Sequence, residues 1–282
     1  MNLSFAKKEQ INNILFQIFV GVFCLIMIYP LLWMLAGSLK TSGNALTATL
    51  IPDGFHFSNY AEGWRGFGGY SFSIFFKNSF FIAGMATVGQ LLSSSFAAFG
   101  FARTKFVGQK IFFAIMIATV LLPGQVLRIP QYIMFNNWGW MDSYLPVLLP
   151  QMLPVPFFTF LMVQFIRGIP SELDEAAFID GCSKFGIYFR IILPNLTPVM
   201  VTAGIFRFYW SWNDFMTPLL YLQTVTKYPI SIALRMFSDP NSITNWGAMF
   251  GMTVLSIVPT LVIFIFFQKH LVEGMASSGL KG

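Results

Sequence analysis

Charged side chains are scarce in this sequence. Only 10% of its 282 residues are Asp, Glu, Lys or Arg, 56% are hydrophobic, and the mean hydropathy is +0.67. Soluble globular domains carry roughly a quarter charged residues, so this composition excludes that class and predicts an all-α polytopic membrane protein. The net charge of +6 then reflects cations that anchor spans at an anionic lipid surface, and no nucleic-acid partner is expected.

Cysteine and histidine are also rare. Cys24 and Cys182 are far apart in dissimilar surroundings, and His56 and His270 are isolated, so neither a disulfide nor a metal site is expected. The sequence contains no G-x4-G-K-[ST] pattern, which a P-loop ATPase needs, and no set of catalytic nucleophile and base. We therefore expect no enzyme, no catalytic residue and no cofactor bound by this chain.

Six apolar runs, five of them without any charged residue, are long enough to predict membrane-spanning helices. The first lies between Glu9 and Lys40 and is too long for the apolar core of a cleavable signal peptide, so it is predicted to be retained. The other five runs lie within residues 77–103, 110–128, 142–167, 197–222 and 239–269.

These runs suggest three segments and an orientation. Residues 1–76 comprise a tail, the first span and an extracytoplasmic loop with a short interfacial helix; residues 77–268 form a five-helix transmembrane domain; residues 269–282 form a C-terminal tail. Six spans place both termini on one side of the membrane. Ten lysines and arginines fall on that side and six on the other, which predicts that both termini are cytoplasmic.

Two spans carry features of a bundle interior. The second is rich in Ser, Ala and Gly, which lets helices approach closely. The third runs into Pro123, Gly124 and Pro130. Either the broken helix lines a cavity, where unpaired backbone is tolerated, or the helix simply ends at Pro123. In the first case Gln125 would lie on a translocation path.

The fifth span alone contains charged residues, Arg207 and Asp214, seven positions apart with Ser211 between them. Charges inside a membrane normally face the bundle interior or water, so these three residues could line a polar path together with Trp212 and Asn213. Aromatic rings beside amide and carboxylate groups suit a sugar. The alternative is that a neighbouring helix neutralises Arg207 and the solute never contacts it.

A polar insert, Ser171 to Pro194, separates the fourth and fifth spans. Ser171 and Asp174 form a capping-box pattern, which predicts a helix that begins at Glu172 and ends at Gly181. Leu173, Ala176 and Ala177 would form one small apolar face. A helix of about 13 Å cannot cross a bilayer, so it lies on the membrane surface or docks into a partner. Ser183 is predicted to start a second helix, which Pro194 stops.

The insert matches the pattern EAA-x3-G-x9-I-x-LP at Glu175, Ala176, Ala177, Gly181, Ile191, Leu193 and Pro194. The chain therefore resembles the permease subunits of binding-protein-dependent ABC importers of the type I fold. In that family the segment is a cytoplasmic coupling helix that sits in a cleft of the ATP-hydrolysing subunit. The resemblance assigns ATPase coupling to Glu172, Leu173, Asp174, Glu175, Ala176, Ala177, Asp180 and Gly181.

The runs GQVLRIPQY, SWNDF and GLKG look like the smaller permeases of the maltose-type, or carbohydrate-uptake, branch. This resemblance implies a bacterial inner-membrane protein that pairs with a second homologous permease, two ATPase subunits and an extracytoplasmic solute-binding protein. ATP and magnesium would bind to the ATPases, and solute would cross by alternating access. The tail resembles others that reach the ATPase dimer, which would place Glu273, Gly279 and Lys281 there.

Three alternatives remain at this point. The branch includes glycerol-3-phosphate permeases, and related importers carry polyamines; a net-positive cavity around Arg207 would suit the first and an acidic one the second. A secondary transporter would need several intramembrane acids, whereas only Asp214 qualifies.

Overall fold

The computed structural model describes residues 3–237 and 245–279, and these are almost entirely helical. No strand occurs in these two ranges, which contain one isolated bridge between Phe67 and Tyr70. The prediction of an all-α protein is confirmed. The α-helices are α1 Leu3–Leu39, α2 Ser58–Arg65, α3 Phe72–Arg103, α4 Gln109–Ala118, α5 Gly124–Asn137, α6 Leu145–Met152, α7 Pro156–Arg167, α8 Glu172–Ile179, α9 Lys184–Ile187, α10 Leu193–Asn195, α11 Thr197–Trp212, α12 Met216–Tyr221, α13 Ile230–Met236 and α14 Trp246–Gly279.

Four stretches in the described ranges are long and apolar enough to cross a membrane. They are Lys7–Leu39, Phe72–Arg103, Leu145–Arg167 and Trp246–Lys269. Two further helix pairs pass the same test but are sharply bent: Gln109–Leu121 with Gly124–Asn137 at 101°, and Lys184–Asn195 with Thr197–Trp212 at 74°. If each bent pair is one span, the total is the six that the sequence predicts.

The third span does break at the predicted place. A single 3-10 turn, Thr119–Leu121, follows α4, Leu122 is extended, and α5 starts at Gly124 in a new direction. Pro123 explains the break, because it lacks an N–H group and disfavours helical backbone in the residue before it. The helix therefore ends just before Pro123, whereas Pro130 lies inside α5 and does not interrupt it.

A second break, which the sequence analysis did not predict, divides the fourth span between α6 and α7. Leu153 and Val155 are extended there. Two serines of α3 compensate: Ser93 Oγ donates to the Met152 carbonyl at 2.6 Å, and the Val155 N–H donates to Ser94 Oγ at 3.2 Å. Side-chain partners of this kind are what make broken helices tolerable at membrane depth.

Close approach of α3 to the second break depends on a glycine. A Cβ atom built on Gly89 would lie 2.6 Å from Cγ of Met152. The prediction that small residues of the second span permit tight packing is therefore confirmed at this position.

The chain divides into two compact units. One groups residues up to Phe72 with Leu234–Ile257, and the other groups Ser73–Ala233 with residues from Val258 onward. In the first unit, Asn59 Nδ2 donates to the carbonyls of Ser38 and Lys40 at 2.9 and 2.8 Å and so ties α2 to the end of α1. The predicted short helix of the first loop is α2. The three segments that the sequence suggests, with boundaries after residues 76 and 268, stay a prediction.

One hydrophobic core of the second unit lies between α7 and the polar insert. Phe158, Met162 and Ile166 of α7 are fully buried against Tyr188 and Ile192. The insert is therefore packed on the bundle along its second half, and this contact positions the short helix α8 that precedes it.

Candidate coupling and translocation sites

Helix α8 begins at Glu172, as predicted, but not by the predicted cap. Ser171 has helical backbone angles, φ −70° and ψ −20°, and its side chain makes no capping hydrogen bond. Its carbonyl instead accepts from the N–H groups of Asp174 and Glu175 at 3.0 and 3.1 Å. The capping-box interpretation is wrong, and the three acids of the first turn lie where the helix dipole favours negative charge.

Gly181 ends α8 as predicted. Its φ of +81° is in the left-handed region, which glycine adopts without steric cost. The Gly181 N–H donates to the Phe178 carbonyl at 3.0 Å and the Cys182 N–H donates to the Ala177 carbonyl at 2.9 Å. This pair of bonds is the Schellman arrangement, which satisfies the last carbonyls of the helix.

The second half of the insert begins as predicted and ends differently. Ser183 Oγ accepts from the Gly186 N–H at 3.2 Å and caps α9. The chain then continues through a π-helical stretch, Tyr188–Ile192, into α10. Pro194 does not stop the helix, because it lies in the first turn of α10, where no N–H donor is required.

The two sides of α8 differ in exposure. Asp174 and Ala177 are partly buried, and Ala177 packs against the core of the unit. Leu173 and Ala176 are exposed, so the single apolar face predicted for these alanines and Leu173 is split between two sides. The exposed side of the helix carries Glu172, Leu173, Glu175, Ala176 and Ile179, with Asp180 at its end.

Two large apolar side chains of α8 were missed by the sequence analysis. Phe178 and Ile179 are 69% and 84% exposed. Their position directly before Asp180 and Gly181, in a polar insert, was the available signal. Exposed apolar groups beside carboxylates are typical of a protein-binding surface.

Arg103, the last residue of α3, anchors the start of α8. Its Nε atom lies 2.7 Å from Oδ2 of Asp174, and its Nη2 donates to the Ile169 carbonyl at 2.6 Å. Both charged side chains are mostly buried, with 14% and 17% of their surface exposed. Burial raises the pKa of Asp174, and the positive charge of Arg103 partly opposes that rise.

The polar residues of the fifth span converge on one side chain of the fourth. Oε1 of Gln151 accepts from Arg207 Nη2 at 2.5 Å and from Ser211 Oγ at 3.0 Å. Nε2 of the same amide donates to Asp214 Oδ2 at 3.3 Å. We call Gln151, Arg207, Ser211 and Asp214 the polar cluster. It joins a cation and an anion through a neutral amide, so its formal charge is zero.

Gln151 was not identified from the sequence. The only local signal is a polar amide in an uncharged span, between Pro150 and the break after Met152. Arg207 and Ser211 are 9% and 7% exposed, and Gln151 on a neighbouring helix accepts a hydrogen bond from Arg207 without neutralising its charge. Whether solute reaches the polar cluster stays a prediction.

The remaining predicted path residues lie apart from these hydrogen bonds. Trp212 is 3% exposed, and its ring packs on Phe80 and Phe208 with centroids 4.8 and 5.5 Å away. Asn213 is exposed and donates to the Tyr209 carbonyl at 2.9 Å. Gln125 is exposed on α5. Only Arg207, Ser211 and Asp214 of the predicted set are brought together.

The predicted ATPase-contacting tail is described only in part. Helix α14 continues to Gly279, so the backbone at Glu273 is helical, and Lys281 lies outside the described residues. Among the residues that the structure covers, no group of three or more His, Cys, Asp or Glu side chains could hold a metal ion.

Comparison with known proteins identifies the family. Residues 89–277 match the family model described as binding-protein-dependent transport system inner membrane component. The arabinooligosaccharides transport system permease protein AraQ of Bacillus subtilis is 31% identical over 284 residues, which is 99% of this chain and 100% of that protein. The diacetylchitobiose uptake system permease protein NgcG of Streptomyces coelicolor is 28% identical over 257 residues, 90% of this chain and 84% of that protein.

A solved structure has the same fold. One chain of a bacterial ABC transporter involved in the import of the acidic polysaccharide alginate superimposes with a TM-score of 0.84 at 19% identity, covering 93% of this chain and 97% of that one. The type I permease fold implied by the EAA segment is confirmed. The chain belongs to the inner-membrane permease components of binding-protein-dependent transport systems.

Proposed function

We propose that this chain is one of two permease subunits of an ABC importer for oligosaccharides. Its relatives are permeases for arabinooligosaccharides, for diacetylchitobiose and for polygalacturonan or rhamnogalacturonan. The observation that carries the proposal is α8, a short helix with an exposed acidic and apolar side that is fixed to the bundle on its other side. A helix so arranged can transmit force from a partner into the membrane domain.

The resemblance to the family and the exposed side of α8 support the proposed partners. Two ATPase subunits bind ATP and magnesium. Each ATPase subunit binds α8 of one permease, and we call α8 the coupling helix from here on. A second homologous permease completes the pathway. An extracytoplasmic binding protein delivers the solute. One solved structure with a similar fold is a bacterial alginate ABC transporter in complex with an alginate pentasaccharide-bound periplasmic protein. Both termini face the cytoplasm, because the insert must reach the ATPases.

The exposed side of the coupling helix makes the ATPase contact. Glu172, Leu173, Glu175 and Ala176 present two carboxylates around a small residue, so that a partner can approach the backbone at Ala176. Asp174 and Ala177 face the bundle, and Gly181 sets the end of the helix. Closure of the ATPase dimer moves the helix and opens the six spans alternately to the two sides.

The polar cluster contributes to the translocation path. Gln151 makes three hydrogen bonds to the fifth span, and sugar hydroxyls can accept and donate the same bonds when the helices separate. Trp212, Asn213 and Gln125 belong to the same path only if it widens beyond the cluster. The balanced charges of Arg207 and Asp214 suit a neutral sugar better than glycerol-3-phosphate or a polyamine, which remain the alternative substrates.

Reconstitution tests the proposal. The chain should co-purify with an ATPase and a second permease, and the complex in proteoliposomes should import labelled oligosaccharide when binding protein and internal or external ATP, according to orientation, are supplied. Glu175→Lys should abolish ATPase association, whereas Glu9→Lys, at the exposed start of α1, should not. Uptake of glycerol-3-phosphate or spermidine instead of sugar would contradict the substrate class, and purification without any ATPase would contradict the function.

A further inference from the structure

One side chain outside the insert holds the coupling helix at two points. Arg103 pairs with Asp174 in the first turn of the helix, at 2.7 Å, and donates to the carbonyl of Ile169 just before it, at 2.6 Å. Arg103 is also the last residue of α3. A single guanidinium group therefore joins the end of a membrane span to both the entry and the start of the coupling helix.

The chain segments on either side of the coupling helix are flexible by comparison with this attachment. Residues 168–171 link it to α7 and residues 180–183 link it to α9, with no regular helix in either link. The second link contains Gly181, and glycine has access to more backbone conformations than any other residue type. A force on the coupling helix would bend these links unless contacts with the bundle resisted it.

We propose that Arg103 is a positioning residue that fastens the coupling helix to α3, so that both move as one body when the ATPases close. This inference rests on the proposed function of the coupling helix and adds the connection through which it acts. Arg103 does not contact solute or nucleotide. Its role is to prevent the two linking segments from bending when the ATPases move the coupling helix.

Helix α3 extends the connection towards the translocation path. Ser93 and Ser94 lie about 15 Å along the helix from Arg103, at 1.5 Å per residue. They hold the backbone of the break at Met152 and Val155. Gln151, the centre of the polar cluster, is the residue before Met152. Movement of α3 therefore displaces the backbone beside Gln151, the side chain that bridges the fourth and fifth spans.

The chemistry of the pair suits a permanent attachment. The Asp174 carboxylate is largely buried. Without Arg103 its negative charge would lack a partner in an environment of low polarity. An unpaired carboxylate gains from moving out into water, which would pull the coupling helix away from α3. Removal of one partner should therefore weaken the attachment of the helix more than removal of one partner of an exposed ion pair would.

Charge reversal in the complete transporter tests the inference. Arg103→Asp and Asp174→Arg are each expected to lower the amount of solute imported per ATP hydrolysed about tenfold. The exchanged pair, Arg103→Asp with Asp174→Arg, should recover to within about threefold of the unmodified transporter. Lys105→Asp is the matched control, because Lys105 is exposed two residues further on, and it should leave the ratio unchanged.

The ratio separates a positioning role from a merely structural one. A residue needed only for folding would lower the yield of assembled complex without changing solute per ATP in what remains. If Arg103→Asp complexes keep the normal ratio, or if the exchanged pair does not recover, the inference is wrong. If the unmodified chain neither binds an ATPase nor imports solute, the proposed function itself has failed.

A cross-link provides a second test that does not depend on tolerance of charge reversal. In a chain with Cys24→Ser, Cys182→Ser, Arg103→Cys and Asp174→Cys, a short bifunctional thiol reagent joins the two introduced thiols. Before joining, this variant lacks the ion pair and should show the lowered solute-to-ATP ratio. If the coupling helix and α3 move as one body, joining the two thiols should raise the ratio towards that of the unmodified transporter, and an unchanged low ratio would contradict the inference. Loss of import on joining would show that the two elements must move apart, and would overturn the inference.

Discussion

Asp142 shows how much a single carboxylate can organise at the ends of the spans. It accepts from the N–H groups of Gln223 and Thr224 at 2.9 Å each and from Lys227 Nζ at 2.8 Å. Hydrogen bonds to Lys227 and then to Thr224 are the main causes that lower its pKa below the ordinary value. The loop before α6 is thereby joined to the loop after α12.

Because the pKa of Asp142 is lowered on folding, its stabilising contribution is present above its unfolded-state pKa of about 4 and is lost only as the pH falls through the lower folded-state value. We expect amide hydrogen exchange at Gln223 and Thr224 to remain slow from pH 7 down to pH 4, after correction for intrinsic rates. Fast exchange already at pH 5 would contradict this assignment.

Removal of the carboxylate should loosen the same loop. Asp142→Ala is expected to speed exchange at Gln223 and Thr224 and to lower the free energy of unfolding by about 1 kcal/mol, since the site is partly exposed and water screens the charges. Asp53→Ala is the control: Asp53 binds Thr41 and Asn44 in the first loop, and its loss should leave the exchange at Gln223 and Thr224 unchanged.

Gly181 is a second residue with a distinct role, because its positive φ of 81° ends the coupling helix. Gly181→Ala should destabilise the insert by about 1–2 kcal/mol through backbone strain alone, since a Cβ there meets nothing within 4 Å. Limited proteolysis of the insert measures the effect. Gly100→Ala, which also meets nothing within 4 Å but lies in a helix, should show no increase in cleavage.

At the scale of elements, α3 is the helix on which the second unit depends. Its serines satisfy the backbone of the break in the fourth span, its last residue holds the coupling helix, and Ser95 Oγ lies 2.8 Å from the hydroxyl of Tyr188 in the insert. Small polar residues suit this position because they bring backbones close and still supply hydrogen bonds.

Two glycines of α3 offer a direct comparison of packing. Gly89→Ala would place a Cβ 2.6 Å from Met152, so the break must shift, whereas Gly84→Ala meets nothing within 4 Å. We expect Gly89→Ala to cost about 1–3 kcal/mol and to lower the thermal midpoint of the purified protein by several degrees. Gly84→Ala should leave the midpoint unchanged or raise it slightly. Equal midpoints for both variants would show that α3 is not closely packed on the break.

At the scale of the whole molecule, the polar cluster joins the fourth and fifth spans by three hydrogen bonds. Gln151→Leu removes all three hydrogen bonds at once and leaves Arg207 and Asp214 without their bridge. We expect the maximal rate of oligosaccharide uptake to fall about tenfold while the complex still assembles, because intramembrane hydrogen bonds contribute about 1–2 kcal/mol each at most.

Gln164→Leu is the matched control for this prediction, because Gln164 lies in the same span and is exposed. It should leave uptake unchanged. Normal uptake by Gln151→Leu would exclude the polar cluster from the transport cycle, and a complex that fails to assemble would assign the cluster a purely structural role.

Local features of the sequence determined the apolar segments, the break at Pro123, the position of the coupling helix and its end at Gly181. Each depends on residues close together in the chain: hydropathy over one span, the missing N–H group of proline, or the backbone freedom of glycine. The EAA pattern added the family, because spacing within one segment is readable without a fold.

Only the tertiary structure decided which side of the coupling helix is exposed, how the second break is stabilised and what Arg207 binds. Those answers depend on partners distant in sequence: Arg103 and Ile169 are 66 positions apart, Ser93 and Met152 are 59 apart, and Arg207 and Gln151 are 56 apart. Hydropathy specifies that a helix crosses the membrane but not its rotation or its neighbours, since lipid and protein interiors are similarly apolar. Packing and hydrogen bonds between helices settle both.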